Sequence, residues 1–548
     1  MSSPAGGAGR LFARTAGGVA ALTLASRIVG FGRWLVFSKT VGDTCLGDAY
    51  NAANQLPNVL FEIAAGGILA SVVVPVIGRQ LAGERGRADA ARTTAALLCW
   101  SLLILTPLVI AAAVFASGYA EIFVQESCSG AQQVAAALLL IFAPQLWFYG
   151  LAVVSAGVLQ AHHRFIAAAA APLASSAVVI TTYLIFAAVA DPAGRDDPAE
   201  LQASALAVLG WGTTAGVVVL ALVTAIPLFR LRLGLRPTLR FPTGVPRVII
   251  SIAGASLFGL IFQQLSVMTA MFAAGRSMIA GAWTQATWAN AVYLLPFAVL
   301  ISPLLQMIFP RLSTAAAQGR DQVSAVLMTI GPAVCTLATL GSALLIADAV
   351  PVARLLVLGP GSGNAAALAW PIIAYAPALT GFALMGLATR TLYAEHRARA
   401  AGLTTAIAWG SVIAGVAVVI AVVPPAAVVT GIAAANSAGM IIGAIVGWTM
   451  IIVTGPLPGE RAAHALGMLR PLFRGAMIGI VAGGLVAYFG RWLAEVGIVG
   501  SVVGAFGAAL VCTALFALGL YLFDRRSWRL ISRREFVTET ATIRSEDG

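Results

Sequence analysis

Apolar stretches of membrane length follow one another along nearly the whole chain, at about 15–38, 48–77, 93–117, 133–160, 165–190, 203–229, 247–273, 279–310, 323–347, 365–392, 401–423, 427–454, 471–493 and 499–523. A helix needs about 20 apolar residues to cross the hydrocarbon core, so the pattern predicts fourteen transmembrane helices and no soluble domain. Ionisable side chains interrupt the first two spans, which carry Arg27, Arg33, Asp48 and Glu62. A charge at bilayer depth costs about 2.5–3.5 kcal/mol on insertion scales, so it persists where it faces a water-filled cavity or a partner. In the second span Asn51, Asn54, Asn58 and Glu62 recur at steps of 3, 4 and 4, which confines them to a stripe roughly 80° wide. That stripe is expected to be an inward-facing polar lining. Arg27 and Arg33 lie about 9 Å apart along their helix and about 120° apart around it, so they need not share a face. Contact with a substrate is the preferred reading for both, Arg33 first because it lies deeper. Ion pairing with Glu62 or Asp48, and snorkelling to an interface, are the rivals. Glu62 is expected to be a structural ion-pair partner that holds an arginine of the first helix, because a free carboxylate would repel an anion.

The short loops sort by charge. One set holds Arg79, Arg85, Arg87, Arg92, Arg164, the cluster from Arg230 to Arg247, Arg311, Arg320, Arg397, Arg399, Arg461 and Arg470. The alternate loops hold Asp43, Glu121, Glu126, Asp191, Asp196, Asp197, Glu200 and Asp348, with few basic residues. The positive-inside rule then puts both termini in the cytoplasm. An internal repeat is also visible. LQAHHR at 159–164 and LYAEHR at 392–397 are 233 residues apart, and Pro75 and Pro310 are 235 apart. Six spans separate such positions, so the repeats are parallel, and Arg164, Arg390 and Arg397 lie in or beside the matching cytoplasmic motifs. The expected architecture is an all-α polytopic membrane protein of two pseudo-symmetric six-helix lobes, 1–232 and 233–456, with two further transmembrane helices in 457–523. The tail, 524–548, reads as an amphipathic membrane-surface piece followed by disorder.

Composition narrows the function. The 548 residues are 60% hydrophobic and 10% charged, with a mean hydropathy of +0.93. The net charge of +12 resides in arginines of the short loops, so no nucleic acid partner is expected. Cys45, Cys99, Cys128, Cys335 and Cys512 form no metal-binding spacing; Cys45 and Cys128 fall in predicted outer loops, but free thiols are the preferred reading. His162, His163, His396 and His464 fall in predicted cytoplasmic loops and read as solvated surface residues. Phosphate-loop, zinc-protease and nucleophile-elbow motifs are missing from any fitting context, so the chain is expected to be a transporter and not an enzyme. Pro57, Pro144, Pro296, Pro303 and Pro371 lie within spans, where they permit kinks suited to rocking between two lobes. Gly66 and Gly67 read as close-packing positions.

SRIVGFGR from Ser26, DAYNAANQLPN from Asp48, AAGGILASVVVP from Ala64 and the two loop motifs resemble the MurJ (MviN) family of lipid II flippases. That family belongs to the multidrug/oligosaccharidyl-lipid/polysaccharide exporter superfamily, and the resemblance covers essentially the whole chain. It implies a fourteen-helix fold that moves undecaprenyl-linked peptidoglycan precursor across a bacterial cytoplasmic membrane. It also implies a lipid-tail groove near spans 13 and 14, and essential positions at Arg27, Arg33 and Asp48; with the asparagines Asn51, Asn54 and Asn58 these make the expected substrate-binding set. The expected partners are the precursor, the bilayer and proteins of cell wall synthesis or division. No cofactor is expected, and the membrane potential or a coupling ion would supply the drive. The chain departs from the better-known pattern at Phe61 and Glu62, and again at Ala291, where many relatives carry arginine. Another lipid-linked oligosaccharide as substrate, or a drug/cation antiport activity, are the alternative functions.

Overall fold

Each predicted apolar span is helical where the chain is described. The computed structural model describes residues 5–63, 67–82, 86–191, 194–195, 197–453, 458–493 and 497–532. Gly66, Arg85, Asp196 and the tail beyond Ser532 lie outside these residues. Contacts divide the chain into two units, the first Met1–Thr284 with Leu356–Gly363, the second Gln285–Leu355 with Asn364–Gly548.

The first unit begins with α1 (Ala5–Thr40), α2 (Cys45–Phe61), α3 (Gly67–Leu81), α4 (Gly86–Val114) and the short α5 (Ala116–Phe123). It continues with α6 (Ala131–Phe142), α7 (Gln145–Ala161), α8 (Phe165–Val189), α9 (Ala203–Arg230) and α10 (Val245–Arg276), and ends inside α11 (Ala282–Pro296). Pro144 lacks an N–H to continue the helix, and α6 and α7 meet there at a bend of 41°. Val73 and Ile77 of α3, Leu97 of α4, Val154 and Val158 of α7 and Leu228 of α9 are buried together as one core.

In the second unit α11 passes through a π-helical turn, Phe297–Ile301, into α12 (Ser302–Gln318). The wider turn directly follows Pro296, so one of the expected kink positions coincides with a break in regular winding. Next come α13 (Arg320–Leu356), α14 (Ala365–Ala374), α15 (Ala376–Ala394), α16 (Ala398–Val422) and α17 (Val428–Val453). The unit closes with α18 (Pro458–Leu493), α19 (Gly497–Phe523) and α20 (Arg525–Ser532). Asp348, expected in an outer loop, instead lies within α13, which runs on to Leu356.

Among the described residues eleven helices are long and apolar enough to span a membrane, or twelve with the bent α6–α7 pair counted as one. The expected fourteen are therefore not all recovered by this criterion. The two predicted spans outside this set are those in α1 and in the α2–α3 pair.

The two loop motifs of the repeat share one backbone geometry. His163 and His396 both take positive φ, 57° and 59°. In each motif the following arginine N–H reaches back to a leucine carbonyl, Arg164 to Leu159 and Arg397 to Leu392, both at 2.8 Å. The histidine N–H bonds to the carbonyl three residues back, that of Gln160 or Tyr393. These are Schellman caps in which histidine occupies the left-handed position usually held by glycine.

Cys45 and Cys128 are joined by a disulfide, which corrects the expectation of free thiols there; their Cα atoms are 5.8 Å apart. The bridge staples the start of α2 to the loop between α5 and α6. Across a separation of 83 residues its loss is expected to lower stability by about 2–4 kcal/mol. Thermal melting of Cys45→Ser checks this, together with thiol counting, in which reductant should expose two additional thiols in the unsubstituted protein.

Candidate functional site

The turn from α1 to α2 organises the outer end of the first unit. Thr44 caps α2 by accepting a hydrogen bond from the Gly47 N–H at 3.1 Å. Gly42 (φ +77°) lies against the Pro360 carbonyl, where a Cβ would collide with backbone, so glycine is required there. The buried Asp43 carboxylate accepts from the Ser362 N–H at 3.3 Å and from the Ser362 hydroxyl. These contacts fasten the 356–363 loop onto the α1–α2 turn.

One helical turn on, Asp48 performs a similar task. Its carboxylate accepts from the Gly281 N–H at 2.8 Å, the Thr284 N–H at 2.8 Å and the Thr284 hydroxyl at 2.9 Å. It therefore caps the N-terminus of α11, where exposed N–H groups and the helix dipole both favour an anion. Asn51 donates to the same Thr284 hydroxyl at 3.1 Å. Asp48 and Gly281 are 233 residues apart, the spacing of the two loop motifs, so helix starts at equivalent points of the repeat meet here. Asp48 and Asn51 are buried, with their described hydrogen bonds committed to this cap.

The rest of the polar stripe is more open. Asn58 is half-buried and donates to the Asn54 carbonyl at 2.8 Å, and Asn54 is half-buried above it. Glu62 is exposed where α2 gives way to a π-helical turn. The pairing of Glu62 with Arg27 or Arg33 is not formed: among the described residues neither arginine makes an ion pair with it. Arg27 is exposed. Arg33 is half-buried, with its guanidinium 5.4 Å from the centroid of the adjacent Trp34 ring. Its Nε is buried and donates no hydrogen bond, and it lies within electrostatic range of Tyr50, Tyr149 and Tyr183.

A buried hydroxyl cluster that sequence reasoning missed lies within electrostatic range of Arg33. The Tyr50 hydroxyl is 2.8 Å from that of Tyr183 and 3.0 Å from that of Thr213, which itself donates to the Leu209 carbonyl. Phe37 and Phe142 pack against the Tyr50 ring. Gln145, at the start of α7, donates to the Thr214 hydroxyl of α9 at 2.8 Å, next in sequence to Thr213. The available signal was the presence of Tyr183, Thr213 and Thr214 in otherwise apolar spans.

The cytoplasmic-motif arginines divide in role. Arg164 is exposed. Arg390 bonds to the Gly386 carbonyl of its own helix at 3.0 Å. Arg397 pairs with Glu395 at 3.5 Å and donates to the Met450 carbonyl at 3.2 Å. Of the departures from the family pattern, Phe61 packs on Tyr149 with ring centroids 5.0 Å apart, and Ala291 is half-buried on α11.

Two of the cavities among the described residues of the second unit are apolar. One, of about 880 Å³, is walled by α13, α15, α17 and α18, with Ile346, Leu384, Ile445, Trp448 and Ile480 on its surface. The other, of about 640 Å³, lies between α18 and α19, lined by Met477, Val481, Leu485, Leu518 and Leu522, with Arg474 as its charged residue. Their linings suit hydrocarbon chains.

The sequence profile described as lipid II flippase MurJ matches residues 37–506. A probable lipid II flippase MurJ from Rhizobium meliloti is 27% identical over 350 residues, 62% of each chain. A lipid II flippase MurJ from Burkholderia cenocepacia is 28% identical over 332 residues, 60% of this chain and 62% of that one. The alignments thus span about three-fifths of these relatives. Among solved structures, a lipid II flippase MurJ in an inward closed conformation superposes with a TM-score of 0.68 at 17% identity, covering 92% of this chain and 99% of that one. An inward-facing multidrug resistance MATE transporter of the MOP superfamily gives 0.61 at 15% identity, covering 80% and 95%. The two likenesses show a shared fold.

Proposed function

The chain belongs to the lipid II flippase MurJ family, and on that premise we propose that it carries an undecaprenyl-pyrophosphate-linked peptidoglycan precursor, lipid II, from the inner to the outer leaflet by alternating access. The observation that carries this reading is the setting of Arg33, a guanidinium with an uncommitted buried N–H within electrostatic range of three tyrosines. A pyrophosphate presents about two negative charges, and the arginine fork matches phosphate oxygens through parallel N–H donors. Arg27, Asn54 and Asn58, exposed or half-buried, supply further polar contacts to the headgroup in this reading, whereas Asp48 and Asn51 act through the α11 cap. The apolar cavities of the second unit supply room for the prenyl tail. An inside-negative potential favours outward movement of each negative charge by about 2.3 kcal/mol per 100 mV, so potential or a coupling ion drives the cycle without a cofactor. The protein works in the bacterial cytoplasmic membrane, beside proteins of cell wall synthesis or division.

A flippase for another lipid-linked oligosaccharide is the second reading, favoured by Phe61, Glu62 and Ala291 in place of arginine. A drug/cation antiporter is less well supported, because Asp48, a candidate cation ligand, is committed to the α11 cap. Complementation of a strain depleted of its own lipid II flippase separates these readings: growth is expected, and no growth at normal membrane level overturns the lipid II assignment. Both termini and the 230–247 loop are cytoplasmic in this reading, and the 191–200 loop is external. An impermeant thiol reagent applied to intact cells should therefore label a cysteine placed at Glu200 and spare one placed at Arg236.

A further inference from the structure

Two carboxylates of the second unit have partners among the described residues. Glu395 has Arg397 at 3.5 Å, and Asp524 has Arg474 at 3.8 Å together with the Ser527 hydroxyl at 2.8 Å. Asp348 makes neither an ion pair nor a hydrogen bond among the described residues, and its Oδ1 is buried.

Its surroundings are apolar. Ala343 and Ala347 of α13, Ala482 and Val486 of α18, and Ala508 and Cys512 of α19 form one buried cluster beside it. Cys512 is the titratable group that α19 presents, close enough to interact electrostatically with Asp348. From α18 the packed residues Ile478, Ala482 and Val486 bring no charge, and along α13 the nearest charged residue is Arg354. Cys512 lies about 22 Å from the start of α19 and about 16 Å from its end at 1.5 Å per residue, so the cluster sits near mid-span.

A carboxylate without a partner is strongly disfavoured in hydrocarbon, whereas one bound proton removes its charge outright. We propose that Asp348 is a proton-binding site of the second unit. Its carboxylate takes one proton from water when α13, α18 and α19 close around it and returns that proton to water when they part; the O–H bond alone forms and breaks. Ala343 and Ile346 of α13, with Gly479 and Ile480 of α18, also wall the 880 Å³ cavity. An apolar chain entering that cavity spreads the helices that cover Asp348. This coupling rests on the cavity taking a lipid tail; proton binding itself does not.

The test uses the purified full-length protein in lipid nanodiscs and infrared difference spectroscopy at neutral pH. The expected result is a carboxylic acid carbonyl band that disappears in Asp348→Asn, returns shifted in Asp348→Glu, and weakens as undecaprenyl phosphate is added. An Asp348→Asn difference spectrum with carboxylate bands alone overturns the proton site. An acid band insensitive to undecaprenyl phosphate overturns the coupling to the cavity. In proteoliposomes the flipping rate should vary with pH in the unsubstituted protein and be flat in Asp348→Asn, and equal pH profiles likewise overturn the coupling. If lipid II is not transported at all, the infrared measurement still decides the proton site, so the two proposals fail separately.

Discussion

Arg33→Ala is expected to abolish growth in a flippase-depleted strain while leaving the membrane level of the protein close to normal. The guanidinium has no ion-pair partner among the described residues, and its buried Nε donates to nothing, so truncation breaks no internal hydrogen bond of that atom. What it removes is a cation held against Trp34 and within electrostatic range of three tyrosines. Two charge-assisted hydrogen bonds to phosphate at about 1.5–3 kcal/mol each correspond to a roughly 100-fold or greater loss of transport. Arg33→Lys keeps the charge but loses the planar fork, and should fall between the two. Flipping in proteoliposomes, read beside immunoblots of the membrane fraction, measures both quantities. Wild-type transport by Arg33→Ala would remove the cationic headgroup contact from the mechanism.

Asp48→Ala is expected to fail differently, through folding. Removing the carboxylate strands the Gly281 and Thr284 N–H groups and the Thr284 hydroxyl in a buried site. Unsatisfied buried donors cost about 1–3 kcal/mol apiece, so the expected loss is about 3 kcal/mol or more, with reduced protein level. Asp48→Asn keeps one acceptor oxygen at nearly the same size and should recover part of that stability. Thermal melting of the purified variants ranks them. An Asp48→Ala protein that melts with the wild type would refute the capping role and return Asp48 to the substrate-binding set.

The same residues show what a sequence discloses and what it withholds. Long apolar runs announce spans directly, because the bilayer fixes their length, and twelve predicted spans coincide with helices that meet the spanning criterion when α6 and α7 are joined. The loop repeat was legible too, since LQAHHR and LYAEHR encode the same left-handed cap. Charge composition alone suggested that Glu62 should neutralise an arginine of α1, but charge says nothing about how two helices are rotated against one another. Asp48 was recognised as special from its depth and its family position, yet its partners lie 233 and 236 residues downstream, beyond any local pattern. The disulfide was hidden for a similar reason: a separation of 83 residues carries no spacing rule, and proximity exists only after α2, α5 and α6 have packed.

That disulfide also counts membrane crossings. Two thiols that bond to each other emerge on one face of the bilayer, so the chain between them must cross an even number of times. Between Cys45 and Cys128 lie α2, α3, α4 and α5; α4 meets the spanning criterion by itself, and α5 has only 8 residues. The α2–α3 pair must then cross an odd number of times. Three crossings of about 20 residues each do not fit between Cys45 and Leu81, so α2 and α3 together make a single stitch. Both α2 and α3 consequently belong to one stitch through the bilayer, and Asp48, in the first turn of α2, lies at the face where the two cysteines meet.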